Sequence, residues 1–155
     1  MNEKDPNFIY TDGSLYNKTG QGGYGIYSSG LNINLENFYP YGEHKNLVPT
    51  IKIKAILEAI RHIKLRHHSR ARIDIFTDCE FALVHLVNMV DGKEGPELYN
   101  NLGAAIFREI KEDQKWLAKV VLHKVKAHSD IKGNQVADQY AKLGAKKAPK
   151  LHLVP

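Results

Sequence analysis

Three acids and one histidine stand where this chain could do chemistry. Phe8-Ile9-Tyr10-Thr11-Asp12-Gly13-Ser14 is an apolar run ending in an acid and a glycine. It reads as a buried strand that delivers one carboxylate to the rim of a sheet, where the chain turns away. An isolated Asp-Gly-Ser is more often only a turn. A second copy of the same grammar, Ile73-Asp74-Ile75-Phe76-Thr77-Asp78, makes Asp12 and Asp78 a candidate pair. A third acid, Asp138, sits near the start of a helical pattern late in the chain, in His128-Ser129-Asp130-Ile131-Lys132-Gly133-Asn134-Gln135-Val136-Ala137-Asp138. His128 follows a strand and precedes Gly133-Asn134, which can turn the chain and cap a helix. A short loop thus places a mobile base near a fixed carboxylate.

The elements that must position these groups alternate in period. After Ser14 comes a polar loop, then Gly20-Gln21-Gly22-Gly23-Tyr24-Gly25-Ile26-Tyr27, whose glycines allow close backbone approach in a strand of aromatic and β-branched character. No Gly-Lys-Ser/Thr follows and no helical pattern opens there, so a hairpin is expected rather than a phosphate-binding loop. Ser28-Ser29-Gly30 makes the turn and Leu31 to Tyr41 is the partner strand, so three antiparallel strands precede the first helix.

From about Thr50 to Arg66 the period becomes helical, with Ile53, Ile56, Leu57, Ile60 and Ile63 on one face and Lys52, Lys54, Glu58, Arg61 and Lys64 mostly away from it. A strand from Ile73 to Thr77, a helix from about Glu80 to Met89, a loop at 91–96 and a helix from about Pro96 to Lys115 follow. Lys119 to Val125 is the last strand and Asn134 to Lys147 the closing helix. A strand, helix, strand crossing of this kind belongs to a mixed sheet.

Composition sets the outer limits. The chain has 155 residues, 43% hydrophobic and 25% charged, the make-up of one domain with a core of about 8–147. A formal charge of +5 favours an anionic partner such as nucleic acid. The single cysteine, Cys79, excludes an intramolecular disulfide and fits a reducing compartment. With no secretory apolar segment at Met1 to Asn7 and no run long enough to span a bilayer, the expectation is an intracellular, soluble protein of the cytoplasm or nucleus, without membrane partners.

Taken together, Thr11-Asp12-Gly13-Ser14, Gly22-Gly23-Tyr24-Gly25, Thr77-Asp78 and the His128 to Asp138 motif resemble, in order and spacing, the type 1 ribonuclease H family, also found in retroviral reverse transcriptases. The resemblance runs from about Phe8 to Gly144. It implies an α/β ribonuclease H-like fold, a five-stranded mixed sheet flanked by helices, and hydrolysis of the RNA strand of RNA·DNA hybrids with two Mg²⁺ or Mn²⁺ ions. By the same resemblance Asp12, Asp78 and Asp138 would be catalytic metal ligands and His128 would assist proton transfer or product release. Gly13, Ser14, Thr50 and Asn134 would contact the substrate. Two divalent cations held by carboxylates would supply an activated water, a stabilised leaving oxygen and charge neutralisation at the phosphate.

The chain also departs from that pattern. The family carries a glutamate in its first helix, and matching Lys54-Ala55 to its basic-Ala pair puts Ile56 in that slot; a one-residue shift puts Ala55 there. Glu58 is the nearby acid and the candidate auxiliary carboxylate. At about 100° per residue, however, it points away from the apolar stripe and reads as a solvated-face residue. The family's basic handle is missing as well: Val90 to Glu97 holds Lys93 against Asp91, Glu94 and Glu97, which resembles the handle-less retroviral layout. Hybrid affinity would then rest on scattered lysines such as Lys142, Lys146 and Lys147 and fall with salt.

Two functions of different class follow. One is a metal-dependent endoribonuclease, weakened by the missing glutamate, acting as a monomer or as a domain of a larger polyprotein. The other is a degenerate module that binds nucleic acid or a protein partner without efficient cleavage. A transposase- or integrase-like nuclease is disfavoured by the histidine-to-aspartate motif at the final helix.

Overall fold

Alternating side chains in the first strand send two different surfaces to opposite sides of a sheet. In β1 (Phe8–Tyr16) Ile9 is buried in one apolar cluster and Tyr10 in another. β4 (Ile73–Thr77) does the same with Ile75 and Phe76. In the computed structural model of the chain the described residues are 8–16, 18–39, 48–66, 72–80, 83–84, 120–126 and 130–149, without the side chains of 49 and 50.

Between these strands lie β2 (Gln21–Ser28), β3 (Ile33–Tyr39) and α1 (Val48–Arg66), and after them β5 (Val120–Lys124) and α2 (Lys132–Lys146). The five strands form one mixed sheet in the order β3-β2-β1-β4-β5. β1 and β2, and β2 and β3, are antiparallel; β1 and β4, and β4 and β5, are parallel. This is the ribonuclease H-like α/β architecture that the resemblance implies. The expected bounds shift modestly: α1 and α2 each begin two residues earlier, and β3 and β5 are shorter. The expected helix at 80–89 is described only at Glu80, Leu83 and Val84, which are helical. The expected loop at 91–96 and helix at 96–115 lie outside the described residues.

α1 packs its isoleucine-rich face on one side of the sheet, where Ile51, Ala55, Ile56, Ala59 and Ile63 meet Ile9, Ile26, Ile73 and Ile75. Each fully buried isoleucine contributes about 1.5–3 kcal/mol, so this face fixes the helix axis. α2 covers the other side over Tyr10 and Phe76 through Ala137. It lies close because Gly23 and Gly25 carry no side chain: a Cβ on Gly25 would stand 2.6 Å from the Ala141 nitrogen, and one on Gly23 would overlap Ala145. The glycine-rich stretch of β2 therefore serves helix docking. Among the described residues no helix is long and apolar enough to cross a membrane.

Candidate active site

The parallel register of β1 and β4 creates the site. Tyr10 stands opposite Phe76, and two residues further along each chain come Asp12 and Asp78. Thr11 ties the two strand ends together, its hydroxyl donating to the Phe76 carbonyl at 3.1 Å in a buried hydrogen bond. Asp12, 2% exposed, accepts the Gly13 N–H on Oδ1 at 2.8 Å. From above, the first turns of α2 bring Asn134 and Asp138. Asp12, Asp78, Asn134 and Asp138 line one cavity of about 350 Å³ together with Gln135, Gln139 and Lys142. The three aspartates singled out in the sequence thus share one open, polar space.

A further charged group enters from α1, and it is a lysine. Lys52 Nζ lies 2.6 Å from Asp78 Oδ1 and 3.3 Å from Asp12 Oδ1, its side chain 16% exposed. Gly13 makes this reach available: a Cβ there would come within 2.9 Å of the Lys52 backbone nitrogen and 2.8 Å of Ile51 Cγ2. The first turns of α1 can therefore lean over the end of β1.

Ala55 and Ile56 are the two positions that match the family's helix acid. Both residues are 0% exposed and packed in the isoleucine core, and among the described side chains of α1 it is Lys52 that contacts the aspartates. A carboxylate at Ile56 would be buried in hydrocarbon without a partner. Glu58, the candidate auxiliary acid, does not line this cavity: its carboxylate pairs with Lys54 at 2.7 Å and Arg61 at 3.3 Å along the helix. Helical periodicity sets Lys52 mostly away from the apolar face. It stands four residues before Ile56 and so continues the buried stripe, and a lysine on such a stripe requires an acid partner. That spacing was the signal that could have found it.

Electrostatics follow from this geometry. Burial pushes the Asp12 carboxyl up, to about 7; the Lys52 ammonium works against that, and the Asp78 charge adds to it. Burial lowers the Lys52 ammonium, but the charge of Asp12 and its bond to Asp78 outweigh this and leave it above the ordinary lysine range. Asp138 pairs with Lys142 at 3.0 Å one turn along α2, and this hydrogen bond raises the Lys142 ammonium.

Hard divalent cations need several converging oxygen ligands. Here Asp12 and Asp78 share an ammonium and Asp138 holds another. Among the described residues no group of three or more His, Cys, Asp or Glu side chains converges closely enough to hold an ion. As arranged, these side chains do not fit a pair of Mg²⁺ or Mn²⁺ ions.

Of the other expected site residues, Gly13 acts in packing against α1. Ser14 is half-buried on β1 opposite Gly23 and is not part of the cavity lining. Asn134 is 3% exposed at its wall. His128 and the Thr50 side chain lie outside the described residues. Two of the lysines expected to meet the hybrid are engaged within the chain, Lys142 with Asp138 and Lys147 with Glu36 at 2.8 Å.

Comparison with known proteins agrees with this architecture. The chain is 28% identical over 153 residues to Ribonuclease H of Orientia tsutsugamushi (strain Boryong), covering 92% of this chain and 84% of that protein. Among solved structures it is similar to LC11-RNase H1, isolated from compost by a metagenomic approach, with a TM-score of 0.60, 17% identity, and coverage of 90% of this chain and 95% of that one. It is also similar to the foamy viral protease-reverse transcriptase in complex with RNA/DNA hybrid, with a TM-score of 0.64 and 17% identity over 92% of this chain. The chain spans 20% of that viral protein's length. Ribonucleases H generally use divalent metal ions, which sets the Lys52 arrangement apart. The RNase H family model matches residues 4–146, and with the strand order and the shared cavity of Asp12, Asp78 and Asp138 in place, the chain belongs to the RNase H family.

Proposed function

We propose that this chain engages RNA·DNA hybrids at the aspartate cavity and hydrolyses the RNA strand as a weakened ribonuclease H. The observation that carries the reading is the convergence of Asp12, Asp78 and Asp138, from two parallel strand ends and a helix, on one open cavity of about 350 Å³. Supporting it are membership of the RNase H family and the curated Ribonuclease H relative. Asp12, Asp78 and Asp138 are the catalytic carboxylates of this reading, and His128 is the proton-transfer or release residue. Cleavage is expected to be slow because ammonium groups hold all three carboxylates. Losing a carboxylate that a reaction requires lowers rate by orders of magnitude.

A second reading, a module that binds the hybrid without efficient cleavage, is favoured by one observation, Lys52 seated between Asp12 and Asp78. One experiment separates the two. A labelled RNA·DNA hybrid is incubated with the chain, with Asp12→Asn and with Lys52→Glu, in Mg²⁺ and in Mn²⁺, while binding is followed in parallel. Cleavage by the chain that Asp12→Asn abolishes supports the nuclease. Binding without cleavage, with cleavage appearing in Lys52→Glu, supports the module. Absence of both binding and cleavage overturns both.

A further inference from the structure

The first helix of this chain contributes a cation where the fold gathers acids. Lys52 Nζ contacts Oδ1 of both Asp12 and Asp78, at 3.3 and 2.6 Å, and both carboxylates are nearly buried, their side chains 3% and 8% exposed. Two such carboxylates on adjacent strand ends repel each other strongly when nothing neutralises them. Here the neutralising group is covalently part of the protein. We propose that the Lys52 ammonium is the resident cation of the Asp12–Asp78 pair, standing in place of a divalent ion, so that Mg²⁺ and Mn²⁺ load there only weakly while Lys52 is present.

Position, charge and anchoring each support this. An ion taken up on the same oxygens would sit a few ångströms from a positive ammonium, in surroundings where screening by water is weak. The remaining acid offers no compensation. Asp138 has its own ammonium, Lys142, so each of the three aspartates already faces a lysine. Lys52 is also held from below: Ile51 and Ile53, its chain neighbours, are buried in the core, and Gly13 lets the helix backbone press on β1. The ammonium is thus presented by a fixed backbone rather than by a mobile surface segment. The inference deepens the functional reading above and rests on it for its consequence, slow cleavage.

Mn²⁺ alone is the probe. Free Mn²⁺ is measured by electron paramagnetic resonance during titration of the chain, Lys52→Gln, Lys52→Glu, and Lys52→Glu combined with Asp12→Asn. The expected result is Mn²⁺ binding roughly tenfold or more tighter in Lys52→Gln than in the chain itself, tighter again in Lys52→Glu, with the gain lost on adding Asp12→Asn. Equal Mn²⁺ affinity in the chain and in both Lys52 variants, abolished by Asp12→Asn, overturns the proposal. Should removal of the ammonium prevent folding, melting of the unaltered chain decides. A midpoint unmoved between EDTA and excess Mn²⁺ supports the proposal, and a rise that Asp12→Asn removes overturns it. Hybrid binding in EDTA is read alongside; its absence sinks the functional reading, and the Mn²⁺ comparison still decides the role of Lys52.

Discussion

Gly25 of β2 lies directly beneath the Ala141 backbone of α2, where a single added Cβ would stand 2.6 Å from the amide nitrogen. The contact involves backbone on both sides, so neither partner can give way cheaply. Gly25 also pairs with Asp12 across the β1–β2 ladder, which links helix docking to the site in one step.

Gly25→Ala is therefore expected to lift α2 off the sheet and carry Asp138 away from Asp12. Overpacking of this kind costs about 1–3 kcal/mol. A lowered urea midpoint with an unchanged slope checks the stability change, and RNA·DNA hybrid binding checks the site. An unaltered midpoint would show that the helix accommodates the methyl group.

Thr11→Val tests the clamp between the two strand ends. The Thr11 hydroxyl donates to the Phe76 carbonyl within the core, and the substitution keeps the shape while removing the donor. The expected loss is about 1–2 kcal/mol. Amide exchange at Thr77 and Asp78 should quicken relative to α1, because the lost bond is local to the ends of β1 and β4.

Much of this architecture was readable because period and punctuation agreed with it. The switch from strand to helical spacing at about Thr50, the Thr-Asp endings of β1 and β4, and the acid in the first turns of α2 all follow from local residue order. The place of Lys52 is not legible in the sequence because charge outweighs position: a lysine is expected on a solvated face, and the packing of α1 against Gly13 brings it to the strand ends. The same packing buries Ala55 and Ile56, the positions that match the family's glutamate slot. Local sequence fixes which face of a helix is apolar. It does not fix how far along its axis the helix slides over the sheet, and that slide decides which first-turn residue reaches the site.

Lys142→Ala separates stability from binding. Its pair with Asp138 is half-exposed and one turn apart on α2, and such pairs are worth about 0.3–0.5 kcal/mol. The melting midpoint should barely move. If the cavity rim meets the phosphate backbone, hybrid affinity falls and the slope of log affinity against log salt is reduced by about one. An unchanged salt slope would place Lys142 outside the contact.

Asp12→Asn should stabilise the chain, with a pH dependence whose sign is fixed. Burial raises the Asp12 carboxyl from 3.8 to about 7 in the folded protein, against the opposing charge of Lys52 and with the added charges of Asp78 and Asp138 nearby. Between those two values the folded chain holds a proton that the unfolded chain has released, so stability falls as pH rises through that window. Below it both states are protonated and the group contributes nothing; above it the full penalty of a buried charge is present. The amide carries no such charge and leaves Lys52 paired with Asp78. The gain from Asp12→Asn should therefore be near zero at about pH 4 and grow to the order of 2–4 kcal/mol above about pH 7. Melting curves of both chains across that range measure it directly. A gain that is largest in acid, or a loss at high pH, would mean that the Lys52 pairing outweighs burial and that Asp12 is held ionised throughout.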